Sequence, residues 1–255
     1  MKVDYKNSWY EKTKPNFKAF DEGLKPYWDM KYSDRWAQIK KIKDAKTVLD
    51  IGCGLGRALS HYQMMGAKVT GIEPSDYACE VAKSRGIEVI KGYYENVASG
   101  IEYDVVHFEQ VLSHTPDFMG SLNQAYRNLK GSGVLVIEEP NDGNALQKLL
   151  EPRLGKYWIT EDHCNYFTFD SMEKALGEAG FEVVKRTCTF PMELFELTGE
   201  HYVGNDERGR HVHRRRYEIL SRMSEKERDE LLTGYAQLGI GRDLVIYCQK
   251  GGNHG

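Results

Sequence analysis

Paired cysteines, long apolar runs and an excess of basic charge are all missing from this chain of 255 residues. Its five cysteines, Cys53, Cys79, Cys164, Cys188 and Cys248, form no C-x-x-C pair. An odd, scattered set argues against a disulfide framework and against a cysteine zinc site, and points to reduced thiols in a cytoplasmic protein. No apolar stretch approaches the roughly 18 residues that a membrane helix needs. The opening stretch MKVDYKNSWYEKTKPNF likewise has no apolar signal core. With 35 Lys+Arg against 38 Asp+Glu, the net charge of -3 leaves no basic surplus for displacing counterions from a polyanion. Neither nucleic acid nor membrane is therefore an expected partner.

Short β-branched runs alternate with helical stretches from Lys46 onward: TVLDI, AKVTGIE, IEVIKG, YDVVHFE and GVLVIEEP, with helices expected near 56–65, 76–85 and 119–130. Strands separated by helices imply right-handed crossovers and a parallel sheet covered on both faces. After Pro140 a long polar connection is expected, then the helix SMEKALGEAG ending at Gly180, the strand FEVVKRTCTF and a last strand DLVIYCQK. The expected fold class is α/β, a doubly wound sheet of seven strands. Residues 1–45, rich in aromatics and charge, read as an N-terminal helical extension or lid. Residues 46–250 form the main domain, in which 191–240 is a charged helical insertion before the last strand. The final residues 251–255 read as a disordered tail.

The segment VLDIGCGLGRAL, Val48 to Leu59, places glycines directly after a strand. A glycine turn opening a helix lets backbone N–H groups approach a ligand. The dinucleotide fingerprint would need glycine at position 57, where Arg57 stands, and the spacing here is G-x-G-x-G through Gly52, Gly54 and Gly56. Asp50, just before the loop, would repel a pyrophosphate and welcome an ammonium group. At the end of the second strand, in GIEPS, Glu73 is placed to accept both hydroxyls of a ribose. A ribose and an amino acid without phosphates describe S-adenosylmethionine.

With these residues in view, the sequence resembles the class I S-adenosylmethionine-dependent methyltransferases, in their small-molecule subgroup, which implies a Rossmann-like doubly wound seven-stranded sheet with the last strand antiparallel. The resemblance runs from about Val48 to Pro140: VLDIGCGLG is similar to the first motif, GIEPS to the second, YDVVHFEQVLSHTPD to the strand and loop after the adenine site, and LKGSGVLVIEEP to the strand that follows. It implies that Gly52, Gly54 and Gly56 line the cofactor's amino-acid and ribose side. It also implies that Asp50 supports the loop or the ammonium, that Glu73 and the adjoining Pro74 form the ribose site, and that Phe108, Glu109 and Gln110 flank the methionine part. KGYYENV departs from the family pattern, since Tyr93 stands where an acidic residue often accepts from the adenine amine. Either Glu95 takes that role or Tyr93 and Tyr94 pack on the base. A looser resemblance of the later segments is to methyltransferases of sugars, surface polysaccharides and natural products.

Methyl transfer asks the protein for alignment, exclusion of water and, for a hydroxyl acceptor, a base. His163, in the polar loop after the fifth strand, is the first candidate base, and His114 in LSHTPD is the second or holds the loop. Glu138 and Glu139 are positioning candidates, and Asn141 a substrate contact. Within the insertion, the run from Arg208 to Arg216 reads either as a solvated helix face or as an anion-recognising surface through Arg214 and Arg215. Trp9, Tyr10 and Trp28 are candidates for a lid over the substrate. His211 and His213 have no partners close in sequence, so no metal is expected. The expected reaction is methylation of a small polar, anionic molecule at oxygen, with N- or C-methylation as the alternative and a non-catalytic cofactor-binding or RNA-modifying role behind both. The expected assembly is a monomer or homodimer.

Overall fold

The structure is a computed structural model that describes residues 23–94 and 100–252. Trp9, Tyr10, Glu95 and the last three residues of the expected tail lie outside the described residues. Seven strands form one sheet: β1 (Thr47–Ile51), β2 (Lys68–Glu73), β3 (Glu88–Lys91), β4 (Tyr103–Glu109), β5 (Leu129–Pro140), β6 (Phe181–Cys188) and β7 (Asp243–Lys250). Their order is β3-β2-β1-β4-β5-β7-β6, parallel except for β7, which runs against both neighbours. The Rossmann-like doubly wound sheet with an antiparallel last strand is thus the observed architecture.

Helices cover both faces. They are α1 (Lys25–Ile42), α2 (Arg57–Met64), α3 (Asp76–Ser84), α4 (Phe118–Asn128), α5 (Ala145–Leu154), α6 (Phe169–Glu178), α7 (Glu193–Leu197), α8 (Asp206–Ser221) and α9 (Glu225–Gln237). The two-residue period of the strands divides the core. Leu49, Ile51, Val106, Phe108 and Ile137 pack toward α4 and α6, against Leu122, Met172 and Leu176. On the other face Val48, Val105, Val136 and Val245 meet Trp36 and Ile39 of α1 and Leu59 and Tyr62 of α2. At about 2 kcal/mol for each fully buried large apolar side chain, these two layers supply most of the drive to fold. Tyr27 of α1 joins Phe190, Phe195, Val212 and Leu220 in a third, smaller cluster, so α1 also packs against the helices that precede β7.

Two local expectations need correction. The polar stretch after Pro140 is not all connection. Asn144 caps a helix there, its side chain accepting from the backbone of Leu146 and Gln147 at 3.0 and 3.1 Å, and Gly155 at φ 63° closes it. The apolar signal of α5 is weak and Pro152 sits inside it, which hid the helix from a periodicity reading. β5 also begins at Leu129 rather than at Gly133, because an irregularity in its pairing with β4 lets Leu129 face Tyr103.

Candidate active site

Beyond the carboxyl ends of β1, β2 and β4 lies a cavity of about 220 Å³. Of the predicted residues, Gly52, Glu73, Pro74, Tyr94, Phe108, Gln110 and His114 line it. Ile51, Ile72, Gly92, Tyr93, Val111, Thr115, Pro116 and Ser121 complete its walls. Of these added residues only Tyr93 is legible from sequence. The apolar ones sit in strands and turns, where their residue types signal a core.

The loop after β1 folds as it does because three of its residues adopt left-handed backbone: Gly52, Gly54 and Gly56 at φ 68°, 52° and 73°. A Cβ at Gly52 would lie 2.5 Å from Cγ2 of Val111, so the loop can approach the exit of β4 only as glycine. Gly56 has a different reason: a Cβ there would come within 2.9 Å of Ala82, and the glycine seats the start of α2 on α3, away from the cavity lining. The amide of Gly54 donates to Glu73 Oε2 at 3.0 Å, and that of Ser75 donates to Oε1 at 2.8 Å. Burial raises the Glu73 carboxyl above its usual range even with these two bonds. A carboxylate offers about four acceptor positions. Two remain for ligand hydroxyls, so the residues present suit a ribose.

At the exit of β4 the backbone is strained. Gln110 has φ 58°, the one non-glycine with positive φ among the described residues, and is held by its amide on Glu138 O at 2.8 Å and its side chain on Asp243 at 3.2 Å. The following turn, Leu112–His114, hangs on Glu139, whose buried carboxylate accepts from the amides of Val111, Leu112 and Ser113 at 2.7, 2.6 and 3.1 Å. Burial pushes the Glu139 carboxyl up to about 7. The loop carrying His163 is zipped to the same turn. Asn165 donates to the carbonyls of Leu112 and Thr115 at 2.9 and 2.7 Å, and the amides of Cys164 and Asn165 donate to Ser113 O. This zipper brings the two histidine candidates together, with ring centroids 4.6 Å apart in an edge-to-face contact. His114 Nδ1 lies 2.9 Å from the carbonyl oxygen of Asp162. A carbonyl only accepts, so Nδ1 carries the hydrogen and Nε2 is the acceptor nitrogen.

The remaining predicted residues sit elsewhere. Asp50 and Glu109 do not line the cavity. Strand alternation turns Asp50 toward the face covered by α1, where His107 Nδ1 meets its carboxylate at 2.8 Å. Arg35 donates to His107 Nε2 at 3.0 Å, to Glu109 at 3.1 Å and to Glu138, while Lys31 bonds both Glu109 and Glu138 at 2.6 Å. Burial would raise the Glu109 carboxyl, but Lys31 and Arg35 more than offset it and hold the group well below the usual range. Asn141 is buried and its amide donates to the carbonyls of Gly239 and Gly241, tying β5 to the entry of β7. Trp28 lies under the guanidinium of Arg57, 4.6 Å from its ring centroid. Arg215 pairs with Glu200, Arg214 is exposed, and the neighbouring Arg216 stacks on Tyr27 at 3.7 Å.

The profile of the methyltransferase-domain family matches residues 25–186, and the chain belongs to that family. It is an S-adenosylmethionine-dependent methyltransferase of class I, and S-adenosylmethionine is its cofactor. The chain is 28% identical over 60% of its length to a ubiquinone biosynthesis O-methyltransferase of Thiobacillus denitrificans, of which the match spans 72%. It is 27% identical over 56% of its length to the C-methyltransferase NovU of Streptomyces niveus, spanning 34% of that protein. A solved S-adenosylmethionine-dependent methyltransferase from Archaeoglobus fulgidus superposes over 92% of this chain and 99% of its own, with a TM-score of 0.60 and 19% identity. Among the described residues no helix is long and apolar enough to cross a membrane.

Proposed function

We propose that the protein methylates a hydroxyl oxygen of a small polar molecule. The observation that carries this reading is that His114 lines the cofactor cavity and His163 packs directly behind it, with ring centroids 4.6 Å apart. S-adenosylmethionine, when bound, supplies a methyl group already activated by its sulfonium centre. Glu73 accepts from the ribose hydroxyls, the glycine loop admits the amino-acid portion, and Tyr93 and Tyr94 pack on the base. Phe108 and Gln110 bound the methionine end. His163, with His114 beside it, draws the proton from the acceptor hydroxyl. The helix Lys25–Ile42 serves as an extension over the sheet and 191–240 as a helical insertion, joined through Tyr27 and Arg216.

An anionic group on the acceptor would be met by Arg214, which is exposed on α8, rather than by Arg215, which pairs with Glu200. The O-methyltransferase relative supports an oxygen acceptor, and the C-methyltransferase relative supports the alternative of methylation at carbon. Two variants separate the parts of the proposal. Glu73→Ala weakens calorimetric binding of S-adenosylmethionine at least tenfold, about 1.4 kcal/mol. His163→Ala leaves that binding intact and lowers kcat on a hydroxyl acceptor by roughly 10²–10⁴-fold. Near wild-type turnover of the hydroxyl acceptor by His163→Ala would reject His163 as the base, and turnover by the wild type of carbon or nitrogen acceptors alone would favour the alternative.

A further inference from the structure

We propose that His114, Asp162 and His163 bind one divalent transition-metal ion at the wall of the cofactor cavity. One ligand atom from each of the three lies within 4.8 Å of the others, and all three side chains are partly buried. Two imidazoles and a carboxylate form a donor set suited to zinc, cobalt or nickel, and three protein ligands leave a coordination position open. Around an ion with bonds of about 2.1 Å, tetrahedral ligand atoms lie about 3.4 Å apart. Side-chain rotation in the loop residues Asp162 and His163 covers the difference.

A second observation points the same way. The hydrogen bond from His114 Nδ1 to the Asp162 carbonyl directs the lone pair to Nε2, and an imidazole fixed on a backbone carbonyl through its far nitrogen is the usual setting of a metal-bound histidine. Both strands of the site are anchored independently of any ion. The turn bearing His114 hangs on Glu139, and the loop bearing Asp162 and His163 is pinned by Asn165. Such a site is assembled before the ion arrives. Sequence spacing conceals it, because His114 and Asp162 are 48 residues apart.

Since His114 lines the cavity, a hydroxyl entering there can fill the open position, and the ion then lowers its pKa so that the proton is lost to water. With the ion bound, the two histidines act on the acceptor through it; in the metal-free protein His163 takes the proton directly. This catalytic consequence rests on the hydroxyl-acceptor reading, whereas the metal site does not.

The test uses the full chain, stripped with chelator and titrated with cobalt(II), read by calorimetry and by the visible ligand-field band. Binding of about one ion per chain is expected, weakened at least tenfold in both Asp162→Asn and His163→Ala. Far-UV circular dichroism and S-adenosylmethionine binding report that each variant is folded. No saturable binding, or binding unaltered in these folded variants, overturns the metal site while leaving direct proton transfer in place. Binding as expected, but with turnover on a hydroxyl acceptor unchanged by chelation, keeps the site and overturns its catalytic consequence.

Discussion

Two sets of largely buried carboxylates sit near the carboxyl ends of the central strands, and they are satisfied in different ways. On the cavity side, Glu73 and Glu139 accept from backbone amides, with no cation among the described residues paired to either. On the face under α1, Asp50, Glu109 and Glu138 are bound by His107, Arg35 and Lys31 in a closed network. Amide-held carboxylates have lone pairs to offer and tolerate a raised pKa. Glu109 and Glu138 are neutralised by Lys31 and Arg35, while Asp50, held by the His107 imidazole, is raised by burial but closed off from the cavity. A carboxylate beside a ligand loop is thus not necessarily a ligand carboxylate, and Asp50 belongs to the second set.

The comparison breaks most severely at Arg35. Arg35→Met would leave Glu138 buried with Lys31 alone and strip His107 of its donor, which costs roughly 3–5 kcal/mol in denaturant unfolding. The cavity, which Arg35 does not touch, should bind S-adenosylmethionine with little change below the unfolding transition. A large loss of cofactor affinity without loss of stability would show that the closed network serves the ligand after all.

A pH series sharpens the same contrast. Glu139 is raised to about 7 in the folded state, above its value in the unfolded chain, so the folded state binds more protons across the interval between the two. Stability therefore falls as pH rises from about 4.5 to 7. Glu139→Gln removes this component and should flatten the pH profile of unfolding by roughly 1–3 kcal/mol across that window, at the expense of one amide bond to Ser113. A profile identical to wild type would mean that Glu139 stays ionised. The smallest effect is expected at Arg214, exposed on α8: Arg214→Ala should change stability by less than about 0.5 kcal/mol. Reduced turnover in that variant would return the basic helix to the acceptor site.

Much of the cavity was legible because its residues announce themselves by local chemistry. Gly52 and Gly54 adopt backbone that other residues avoid, and Glu73 ends a strand whose period is plain. Phe108 and Gln110 follow from the same strand reading. Val111, Thr115 and Pro116 were not legible, since their contribution is to shape a wall. Glu109 misled for the reason that Asp50 did: one residue of strand register decides whether a side chain meets the ligand or α1.

Taken alone, the sequence determined the seven strands, the glycine loop and the cofactor class, because hydrophobic period and motif spacing are properties of short segments, while the antiparallel last strand came only with the family resemblance. Only the tertiary structure decided that Lys31 and Arg35 neutralise Glu109 and Glu138, that Arg215 and Arg216 are taken up by Glu200 and Tyr27, and that His114 and His163 meet. Those partners are far apart along the chain. Charge pairing and site assembly depend on which faces the packed helices and loops bring together, which no local pattern encodes.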